Sequence, residues 1–563
     1  MVTRLNIMKP HYKEKSPWVR PNRLWEKWYP KNVPTTIDYP VIPIPELLDR
    51  IAEEFPNNVA IYYKLHDKKY TYRDFSQISN KVANILTELG VTKQAAVAVM
   101  TKNSPEYFFS QFGILKTGAG VVPINPLLRQ KEVKHILKDA GIIKTVIVQD
   151  DLYPVIDKVS KEVEIDNIIV IGEEFEKTIP FKEILKRSSN IEREIQINPK
   201  IDLAALLYTG GTTGLPKGVF LTHFNALTNV LQCLFLRDNP DELNSKFGKM
   251  ASVQILPVCH SFGFATSLLS ICAASMIILY DRFEPESVLQ DIETYKVEHF
   301  AGVVTMYKMF LQHPSFGKYD MSSIKVLLAG GGPLPYEIAK KIQDRTGLIA
   351  VQGFGLTECV AAACLQPPWF KPNPKSVGIP IIDTDLKVVD LETGQELEPG
   401  LAGEMLISGP QVMKEYWKNP EATLRTLIKD EQDNIWLRTG DIGKMDEDGL
   451  FYIVGRTKEM IKYKEYRILP REVEETLYEH PSVLECAVIG IPDELAGENI
   501  KAFIQLKKEF RGKVTEEEII RWAKEKLAAY KYPRFIEFIR MIPKTAVGKI
   551  DRKKLQEREP KKS

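Results

Sequence analysis

A segment rich in glycine and threonine carries the strongest chemical signal in this sequence. Residues 208–219 are YTGGTTGLPKGV, directly after the apolar run LAALL and before a segment with helical periodicity. Glycines let successive backbone N–H groups turn toward one point, threonine hydroxyls add donors and a lysine adds positive charge, which are the parts of a polyphosphate site. The donors are Thr209, Gly210, Gly211, Thr212, Thr213, Gly214 and Lys217. Pro216 and Gly218 exclude a Walker A loop, which needs Gly before the lysine and Ser or Thr after it.

Two further segments place glycines directly after strand-like runs. They are AGGGPLP at 329–335 and VQGFGLTE at 351–358. The second is not a dinucleotide fingerprint, because Glu358 stands where the third glycine of GxGxxG would be. Phe354 could offer a ring face to a base, while Thr357 and Glu358 offer a hydroxyl and a hard oxygen ligand suited to Mg²⁺. The same residues are equally typical of a capped turn.

Three charged residues in the last quarter of the chain are also candidates for ligand binding. Asp441 lies in WLRTGDIG, Arg456 in IVGRTKEMIK and Lys549 in IPKTAVGKIDRKKL. A carboxylate can accept both hydroxyls of a ribose, and a fixed guanidinium can hold ribose or phosphate oxygens. Each residue alone is more typical of a solvated loop.

The elements that must position these residues follow an α/β pattern. Helical periodicity alternates with short β-branched runs through the first two thirds, which favours βαβ units and largely parallel sheets. Residues 264–280 are predicted as a buried helix that leads into a buried strand. Near residue 380 short alternating strands separated by Gly, Asp and Pro indicate a β-rich subdomain, and a mixed segment follows Arg456. The polar end of the chain, from Asp551, is expected to be a solvated tail.

Composition indicates a globular, reduced protein of more than one domain. The chain has 563 residues, 44% hydrophobic and 27% charged, with a net charge of +2. The chain is longer than a single hydrophobic core usually accommodates, so more than one domain is expected. The near-neutral net charge argues against nucleic acid as a partner. The six cysteines form no CxxC pair, so we expect a cytoplasmic protein. No targeting or membrane-spanning segment is predicted, and the basic, aromatic N-terminus is a weak candidate for peripheral membrane contact.

These segments, in this order, resemble the adenylate-forming superfamily of acyl-CoA synthetases, luciferases and peptide-synthetase adenylation domains. The resemblance rests on YTGGTTGLPKGV, LPVCHSFGF, QGFGLTE, GPQVMKEYW, WLRTGDIG, GRTKEMIK and PKTAVGKI, and is greatest to long-chain and medium-chain fatty acid CoA ligases. It implies a large N-terminal domain of two α/β subdomains plus a β-barrel-like subdomain, over 1–455. It also implies a small mobile α+β C-terminal domain, over 456–563, with its hinge at Lys458.

The resemblance also implies a role for each candidate residue. Thr209 to Lys217 would hold the β- and γ-phosphates of ATP, and Thr357, Asp441 and Arg456 would contact the α-phosphate and ribose. Adenine would lie against a wall formed by Gly331, Gly332, Pro333, Gln352, Gly353, Phe354 and Gly355. The implied Mg²⁺ ligands are Thr213 and Glu358, and the implied acyl-site residues are His260, Phe262, Gly302 and Val303. Lys549 would reach the carboxylate and α-phosphate, so the implied catalytic set is Lys549, Glu358, Thr357 and Lys217.

The implied reaction is ATP-dependent activation of a carboxylic acid to acyl-AMP, followed by transfer to the thiol of CoA. One residue departs from the family pattern, since Glu465 in KYKEYRILP stands where the family commonly has Gly. Two other functions therefore stay open, an adenylating enzyme with a non-CoA acceptor and a catalytically silent AMP- or lipid-binding protein. Acyl chain length, oligomeric state and domain orientation are not predicted.

Overall fold

The computed structural model describes residues 9–11, 15–187, 189, 195–209, 216–237, 240–545 and 549–559, and all structural statements concern these residues. The α-helices are α1 (Ile44–Glu54), α2 (Tyr72–Glu88), α3 (Pro105–Lys116), α4 (Gln130–Ala140), α5 (Tyr153–Ser160), α6 (Phe181–Arg187), α7 (His223–Arg237), α8 (Pro240–Lys246), α9 (Ser261–Cys272), α10 (Pro285–Tyr295), α11 (Val304–Gln312), α12 (Tyr336–Thr346), α13 (Pro420–Thr426), α14 (Pro470–Tyr478), α15 (Glu516–Lys526) and α16 (Arg552–Gln556).

The strands are β1 (Lys9–His11), β2 (Thr36–Asp38), β3 (Val59–Tyr63), β4 (Lys68–Thr71), β5 (Ala96–Met100), β6 (Gly120–Pro123), β7 (Ile143–Gln149), β8 (Asn167–Ile171), β9 (Ile179–Pro180), β10 (Leu203–Thr209), β11 (Lys217–Thr222), β12 (Ala251–Gln254), β13 (Met276–Leu279), β14 (His299–Gly302), β15 (Val326–Ala329), β16 (Ala350–Gln352), β17 (Cys364–Leu365), β18 (Ile379–Pro380), β19 (Asp385–Val389), β20 (Gly403–Ser408), β21 (Glu415–Tyr416), β22 (Leu427–Lys429), β23 (Ile435–Met445), β24 (Phe451–Arg456), β25 (Ile461–Tyr463), β26 (Tyr466–Ile468), β27 (Val483–Asp493), β28 (Gly497–Leu506) and β29 (Phe535–Phe538).

Two α/β layers hold the first two thirds of the chain. One is an eight-stranded sheet in the order β21-β11-β10-β6-β5-β7-β8-β9, parallel from β10 to β9. The other contains the parallel strands β12-β13-β3 and, beside them, the parallel sheet β14-β15-β16. The strands are parallel because crossover helices such as α2, α3 and α4 separate them in sequence. The predicted α/β fold is confirmed, as are the buried helix α9 and buried strand β13 within 264–280.

The glycine- and threonine-rich segment 208–219 ends in a strand, and the helix predicted after this segment follows it. The strand, β11, pairs antiparallel with β10, and helix α7 begins at His223. The helical periodicity predicted after Val219 is therefore confirmed. Val219, Phe220 and Leu221 are buried in β11, which leads directly into α7.

The β-rich part is a five-stranded antiparallel sheet, β19-β20-β23-β22 with β24 on β23. The basic, aromatic N-terminal segment packs on it. Trp25 is buried with its ring 5.5 Å from that of Phe451, and Arg20 Nε lies 2.7 Å from Asp385 Oδ2. Residues considered for membrane contact are thus used in internal packing. Among the described residues no helix is long and apolar enough to span a bilayer.

The C-terminal part forms its own mixed sheet, β26-β25-β28-β27 with β29 on β28, and its own apolar core between Ile461 and Phe538. Strand β24 ends at Arg456 in one sheet and β25 begins at Ile461 in the other. The link between them is a 3₁₀ turn, Thr457–Glu459, that contains Lys458. Motion about this residue, and the domain limits themselves, stay predictions.

The expectation of a solvated tail from Asp551 is wrong for residues 551–559. Helix α16 lies there, and Leu555 is buried in a small cluster with Ala487 and Ile542. Arg552 Nη2 donates to Glu474 Oε1 at 2.6 Å. One apolar residue in a highly charged run, DRKKLQERE, is a weak signal in sequence, but its burial anchors the end of the chain beside β27.

Candidate active site

Most of the predicted site residues that the structure describes line one cleft, of about 1940 Å³, between the N-terminal layers and the C-terminal sheet. At its floor Thr209 ends β10 and Lys217 begins β11, and the two are directly opposite in the antiparallel register. Both residues line the cleft. Five predicted phosphate-binding residues fall outside the described residues: Gly210, Gly211, Thr212, Thr213 and Gly214.

Glu358 and Lys217 meet through a residue to which the sequence assigned no role, Tyr416. The hydroxyl of Tyr416 donates to Glu358 Oε1 at 2.5 Å, and Lys217 Nζ lies 4.8 Å from the centre of the Tyr416 ring. Strand β21 brings Tyr416 there because it pairs with β11, opposite Val219. All three residues line the cleft. Tyr416 thus contacts a carboxylate through its hydroxyl group and an ammonium group through its ring face.

A glycine-rich wall borders the cleft after strands β15 and β16. Gly331, Gly332 and Pro333 are exposed, and Gly331 has a φ of 77°, which favours glycine. The side chain of Gln352 accepts from Leu334 N–H at 3.0 Å and donates to Pro374 O at 2.6 Å. The Gln352 amide therefore fixes the shape of this wall, and its predicted contact with the nucleotide stays a prediction.

Phe354 lies in the same wall and is mostly buried, with its backbone paired to Cys364. The two glycines beside Phe354 lie where there is no room for a side chain. A Cβ at Gly355 would lie 1.7 Å from Ala361 O, and one at Gly353 would lie 2.9 Å from Leu365 Cδ2. This close packing lets the chain turn from the Phe354 ring to Thr357 within three residues.

Asp441 and Arg456 form a cross-strand ion pair at the centre of the cleft. They are opposite each other on β23 and β24, with Arg456 Nε 2.8 Å from Asp441 Oδ1. The Asp441 side chain is only 4% exposed, whereas that of Arg456 is 42% exposed and faces the cleft. Burial raises the pKa of Asp441, and the positive charge of Arg456 opposes this rise. The negative charge of Asp441 in turn raises the pKa of Arg456. Asp441 Oδ2 is buried and accepts no hydrogen bond from the described residues.

Lys549 reaches this pair from the C-terminal part of the chain. Thr545 N–H donates to Lys549 O at 2.7 Å and Lys549 N–H donates to Thr545 Oγ1 at 3.2 Å, which closes the turn that presents the lysine. Lys549 has accessible surface, but that surface faces the cleft, and surrounding protein together with Arg456 lowers the pKa of its ammonium group. Asp441 and Glu358 oppose this shift.

His260 and Thr357 lie across the cleft from the ion pair. The Nδ1 atom of His260 accepts from Phe262 N–H at 3.4 Å and caps helix α9, and Thr357 Oγ1 donates to Ser261 Oγ at 3.3 Å. Burial, helped by the charge of Lys549, lowers the pKa of His260 to about 4. The imidazole is therefore neutral near pH 7 and acts as a helix cap and a wall residue.

Replacing His260 with asparagine is expected to leave the shape of the pH–rate profile unchanged between about pH 6 and 8. The reason is that a histidine with a pKa of about 4 gains its proton only below that range. Asparagine is also a good N-cap, so α9 keeps its start. Activity measured across this range for both proteins checks the prediction. A limb near pH 6.5 that is present in the wild type and absent from the variant would contradict it.

The predicted acyl-site residues divide into two groups. His260 and Phe262 line the cleft, whereas Gly302 and Val303 lie behind its wall, where Gly330 N–H donates to Gly302 O at 3.0 Å. Their neighbours Ala301 and Val304 line the cleft instead, so a substrate contact of Gly302 or Val303 stays a prediction.

One face of α7 and one face of α9 line the cleft, and the sequence did not indicate this. The cleft extends between these helices and is lined there by Asn229, Val230, Cys233, Leu236, Ala265 and Leu269. The spacing of 229, 233 and 236 is that of a single helix face. Both helices are buried nearly all round, so periodicity could not distinguish the face toward a cavity from the faces toward the core.

Glu465 lies in the two-residue turn between β25 and β26, where Tyr463 is opposite Tyr466. The positive φ of this turn, 54°, falls on Lys464 and not on Glu465. The conformational reason for glycine at position 465 therefore does not apply here, and only the added bulk and charge of Glu465 remain.

Ion pairs from Glu485 and Arg467 join the C-terminal sheet to the rest of the chain. Glu485 Oε1 lies 2.5 Å from Lys308 Nζ of α11 and 2.8 Å from Lys544 Nζ, and Arg467 Nη2 lies 2.7 Å from Glu392 Oε1. Burial alone would raise the pKa of Glu485, but the two lysines have the larger effect, so this pKa is lowered.

Among the described residues no group of three or more His, Cys, Asp or Glu side chains could hold a metal ion without further ligands. Glu358 offers one carboxylate at the mouth of the phosphate loop, and Thr213 falls outside the described residues. Mg²⁺ usually keeps several waters and takes one or two carboxylates plus substrate phosphates. Glu358 alone therefore fits a Mg²⁺ ion that arrives with a nucleotide.

Comparison with known protein families identifies the family of this chain. The AMP-binding enzyme family matches residues 48–417, and the AMP-binding enzyme C-terminal domain matches residues 472–549. The chain belongs to the AMP-binding enzyme family. The two matches flank the link that contains Lys458, and the second includes Lys549.

Relatives with assigned names cover nearly the whole chain. A long-chain-fatty-acid–CoA ligase from Bacillus subtilis (strain 168) is 37% identical over 95% of this chain and 98% of its own length. One from Escherichia coli O157:H7 is 31% identical over the same two shares.

Solved structures agree on the fold. The crystal structure of the anthranilate CoA ligase AuaEII in complex with anthranoyl-AMP has a TM-score of 0.82 and 30% identity, over 92% of this chain and 98% of that one. ATP-bound MatB from Rhodopseudomonas palustris has a TM-score of 0.82 and 26% identity, over 92% and 99%. The large N-terminal and small C-terminal arrangement predicted for this chain is that of these enzymes.

Proposed function

We propose that this protein is an ATP-dependent acyl-CoA synthetase that converts a fatty acid to acyl-AMP and then to its CoA thioester. The observation that carries the proposal is the meeting of Lys549, from the C-terminal part, with Asp441, Arg456 and Glu358 in a single cleft. A silent binding protein would have no need for a second lysine at that place. Membership of the AMP-binding enzyme family supports the same reaction.

Acyl-adenylate formation joins a carboxylate oxygen to the α-phosphorus of ATP and releases pyrophosphate. Both reactants are anions, so charge neutralisation and positioning supply most of the catalysis. Lys217, at the phosphate-loop hairpin, would act on the leaving pyrophosphate. Lys549, beside Asp441 and Arg456, would act on the attacking carboxylate and α-phosphate. Thr357, between them, would donate its hydroxyl proton to an α-phosphate oxygen in place of Ser261.

Glu358 is the residue proposed to hold Mg²⁺, together with phosphate oxygens and, by the family resemblance, Thr213. The ion would supply positive charge to the β- and γ-phosphates. Tyr416 keeps the Glu358 carboxylate oriented by its hydrogen bond at 2.5 Å. The chain's own contribution is thus an oriented anion at the loop mouth.

Thioester formation requires the thiol of CoA to attack acyl-AMP after Lys549 has withdrawn. We propose that the C-terminal domain, 456–563, turns about Lys458 for this step. The contacts that would then break are the ion pairs of Glu485 with Lys308 and of Arg467 with Glu392. Glu465, without a requirement for positive φ, would be carried on the β25–β26 turn toward the thiol path.

The acid is proposed to be a fatty acid whose alkyl chain lies between α7 and α9. From Asn229 to Leu236 the lined face of α7 runs about 10 Å. Polar groups in this wall are satisfied among themselves, since Thr266 Oγ1 donates to Gln254 Oε1 at 3.0 Å and Ser252 Oγ lies 2.7 Å from Ser270 Oγ. An alkyl chain can therefore pass them without leaving a buried donor unpaired.

The test is acid-dependent pyrophosphate release with ATP and Mg²⁺, with and without CoA, over saturated acids from acetate to palmitate, followed by thioester detection. We expect pyrophosphate and acyl-CoA, with rates that rise toward long chains. Pyrophosphate without a thioester would favour an acceptor other than CoA. No acid-dependent pyrophosphate would favour a silent binding protein.

We also propose a reducing location, the cytoplasm. All six cysteines are free: Cys233, Cys259, Cys272, Cys359, Cys364 and Cys486. Burial raises the pKa of the Cys259 thiol, beside His260, to about 12. Cys259 is therefore a small apolar wall residue and not a nucleophile, as the chemistry of CoA requires.

A further inference from the structure

We infer that Tyr416 is the positioning residue that couples the Mg²⁺-binding carboxylate, Glu358, to the phosphate-binding ammonium group, Lys217. The inference rests on the proposed function and concerns nucleotide binding at the same site. It gives a role to the end of the GPQVMKEYW segment, which the motif comparison alone left without one. Tyr416 would touch neither substrate, and its effect would pass through its two neighbours.

The hydroxyl group of Tyr416 acts on Glu358. It donates to Glu358 Oε1 at 2.5 Å, a short bond of the kind formed with an ionised acceptor. Met413 N–H also donates to Glu358 O at 2.8 Å, which fixes the main chain of Glu358 relative to the same segment. One carboxylate oxygen is thereby held, and the other is left for a ligand.

The ring of Tyr416 acts on Lys217. The ammonium nitrogen lies 4.8 Å from the ring centre, within the range of a cation–π interaction, and the Lys217 side chain is exposed. An exposed lysine has many rotamers, and the ring favours those that place the ammonium group over its face. One rigid side chain thus orders two flexible ones of opposite charge.

The backbone around Tyr416 is well fixed, as a positioning role requires. Strand β21 pairs with β11 at Val219 and Phe220, and Tyr416 N–H donates to Thr423 Oγ1 at 3.0 Å. Tyr416 itself is 7% exposed. The positions of Lys217 and Tyr416 are therefore fixed relative to each other by the pairing of β11 with β21.

The test measures ATP binding by calorimetry, with Mg²⁺ and with EDTA, for Tyr416→Phe and Tyr416→Leu. Tyr416→Phe keeps the ring, so it is expected to weaken binding of MgATP about 10-fold and to leave metal-free ATP binding unchanged, since one hydrogen bond to a charged group is lost. Tyr416→Leu removes the ring as well and is expected to weaken metal-free ATP binding a further ~3-fold. Equal loss with and without Mg²⁺ in Tyr416→Phe would overturn the inference.

A double-mutant cycle keeps the inference testable if stability changes. In a Glu358→Gln background, Tyr416→Phe is expected to cost no further MgATP affinity, because its partner is already altered. Additive losses would overturn the coupling. Tyr452→Phe is the matched control: its hydroxyl also donates to a carboxylate, Asp446 Oδ2 at 2.9 Å, away from the cleft. Wild-type protein that binds no ATP would contradict the proposed function, whereas wild-type binding with an unaffected Tyr416→Phe would contradict only this inference.

Discussion

Replacement of Lys549 by alanine is expected to lower the rate of acyl-adenylate formation by roughly 10² to 10³, the usual effect of removing one preorganised group from such a site. ATP binding is expected to persist, because Lys217 lies on β11 and Asp441 and Arg456 lie on the paired strands β23 and β24, whose positions do not depend on Lys549. Single-turnover formation of acyl-AMP, measured beside calorimetric ATP binding, separates the two quantities. A rate within a few fold of the wild type would contradict the assignment of Lys549.

The pH dependence provides a control for this prediction. The pKa of Lys549 is lowered by its surroundings in the cleft and by Arg456. Lysine is the active form only while protonated, so activity is lost as the pH rises through this lowered pKa, and the alkaline limb begins below the ordinary lysine value. Lys549→Arg keeps its charge throughout the accessible range and is expected to lose that limb. An unchanged alkaline limb in the arginine variant would assign the limb to another group.

Residues that carry their chemistry in their type and spacing were predictable from the sequence. Thr209 and Lys217 are recognised by a run of glycines and hydroxyls, and Glu358 by its place after a glycine turn. The α/β fold was predictable for a similar reason, because period 3.6 and β-branched runs alternate over several hundred residues. These signals are local, so each can be recognised in a short segment without knowledge of tertiary contacts.

Contacts between distant segments were not predictable in the same way. Tyr416 is 58 residues from Glu358, and only the pairing of β21 with β11 brings them together. The face of α7 that lines the cleft is also undefined by its sequence, since nearly every residue of that helix is buried. The tail was misjudged because one buried leucine, Leu555, outweighs a run of charges once β27 is beside it.

Glu465 shows how a departure from a family pattern needs a backbone to be interpreted. Glycine in the family pattern permits close backbone approach or a positive φ, but the positive φ of this turn is at Lys464. A positive φ at a non-glycine residue is tolerated when neighbouring contacts fix the turn, and here Lys464 N–H donates to Ala496 O at 2.7 Å. Size and charge are therefore the properties by which Glu465 is expected to influence the proposed thioester step.

The second large effect is expected at Asp441, whose Oδ2 atom is buried without a hydrogen bond from the described residues while Oδ1 is taken by Arg456. A buried carboxylate oxygen with no donor is costly unless a ligand supplies one. The ribose hydroxyls of ATP are donors of the right kind, and the cleft brings them to this strand if adenine lies against Phe354. Small adjustment of the Arg456 side chain, which is partly exposed, would open Oδ2 to the sugar.

Asp441→Asn is expected to weaken ATP binding roughly 10- to 100-fold, because it replaces a charged acceptor by a neutral one of the same shape and weakens the hold on Arg456. Calorimetry with ATP, 2′-deoxy-ATP and 3′-deoxy-ATP checks the cause. The wild type should lose affinity for at least one deoxy nucleotide, whereas the variant should discriminate little, since the partner of the missing hydroxyl is already impaired. If the variant discriminates among the three as the wild type does, Asp441 acts only as the structural partner of Arg456, and the ribose contact must be made by another residue of the wall.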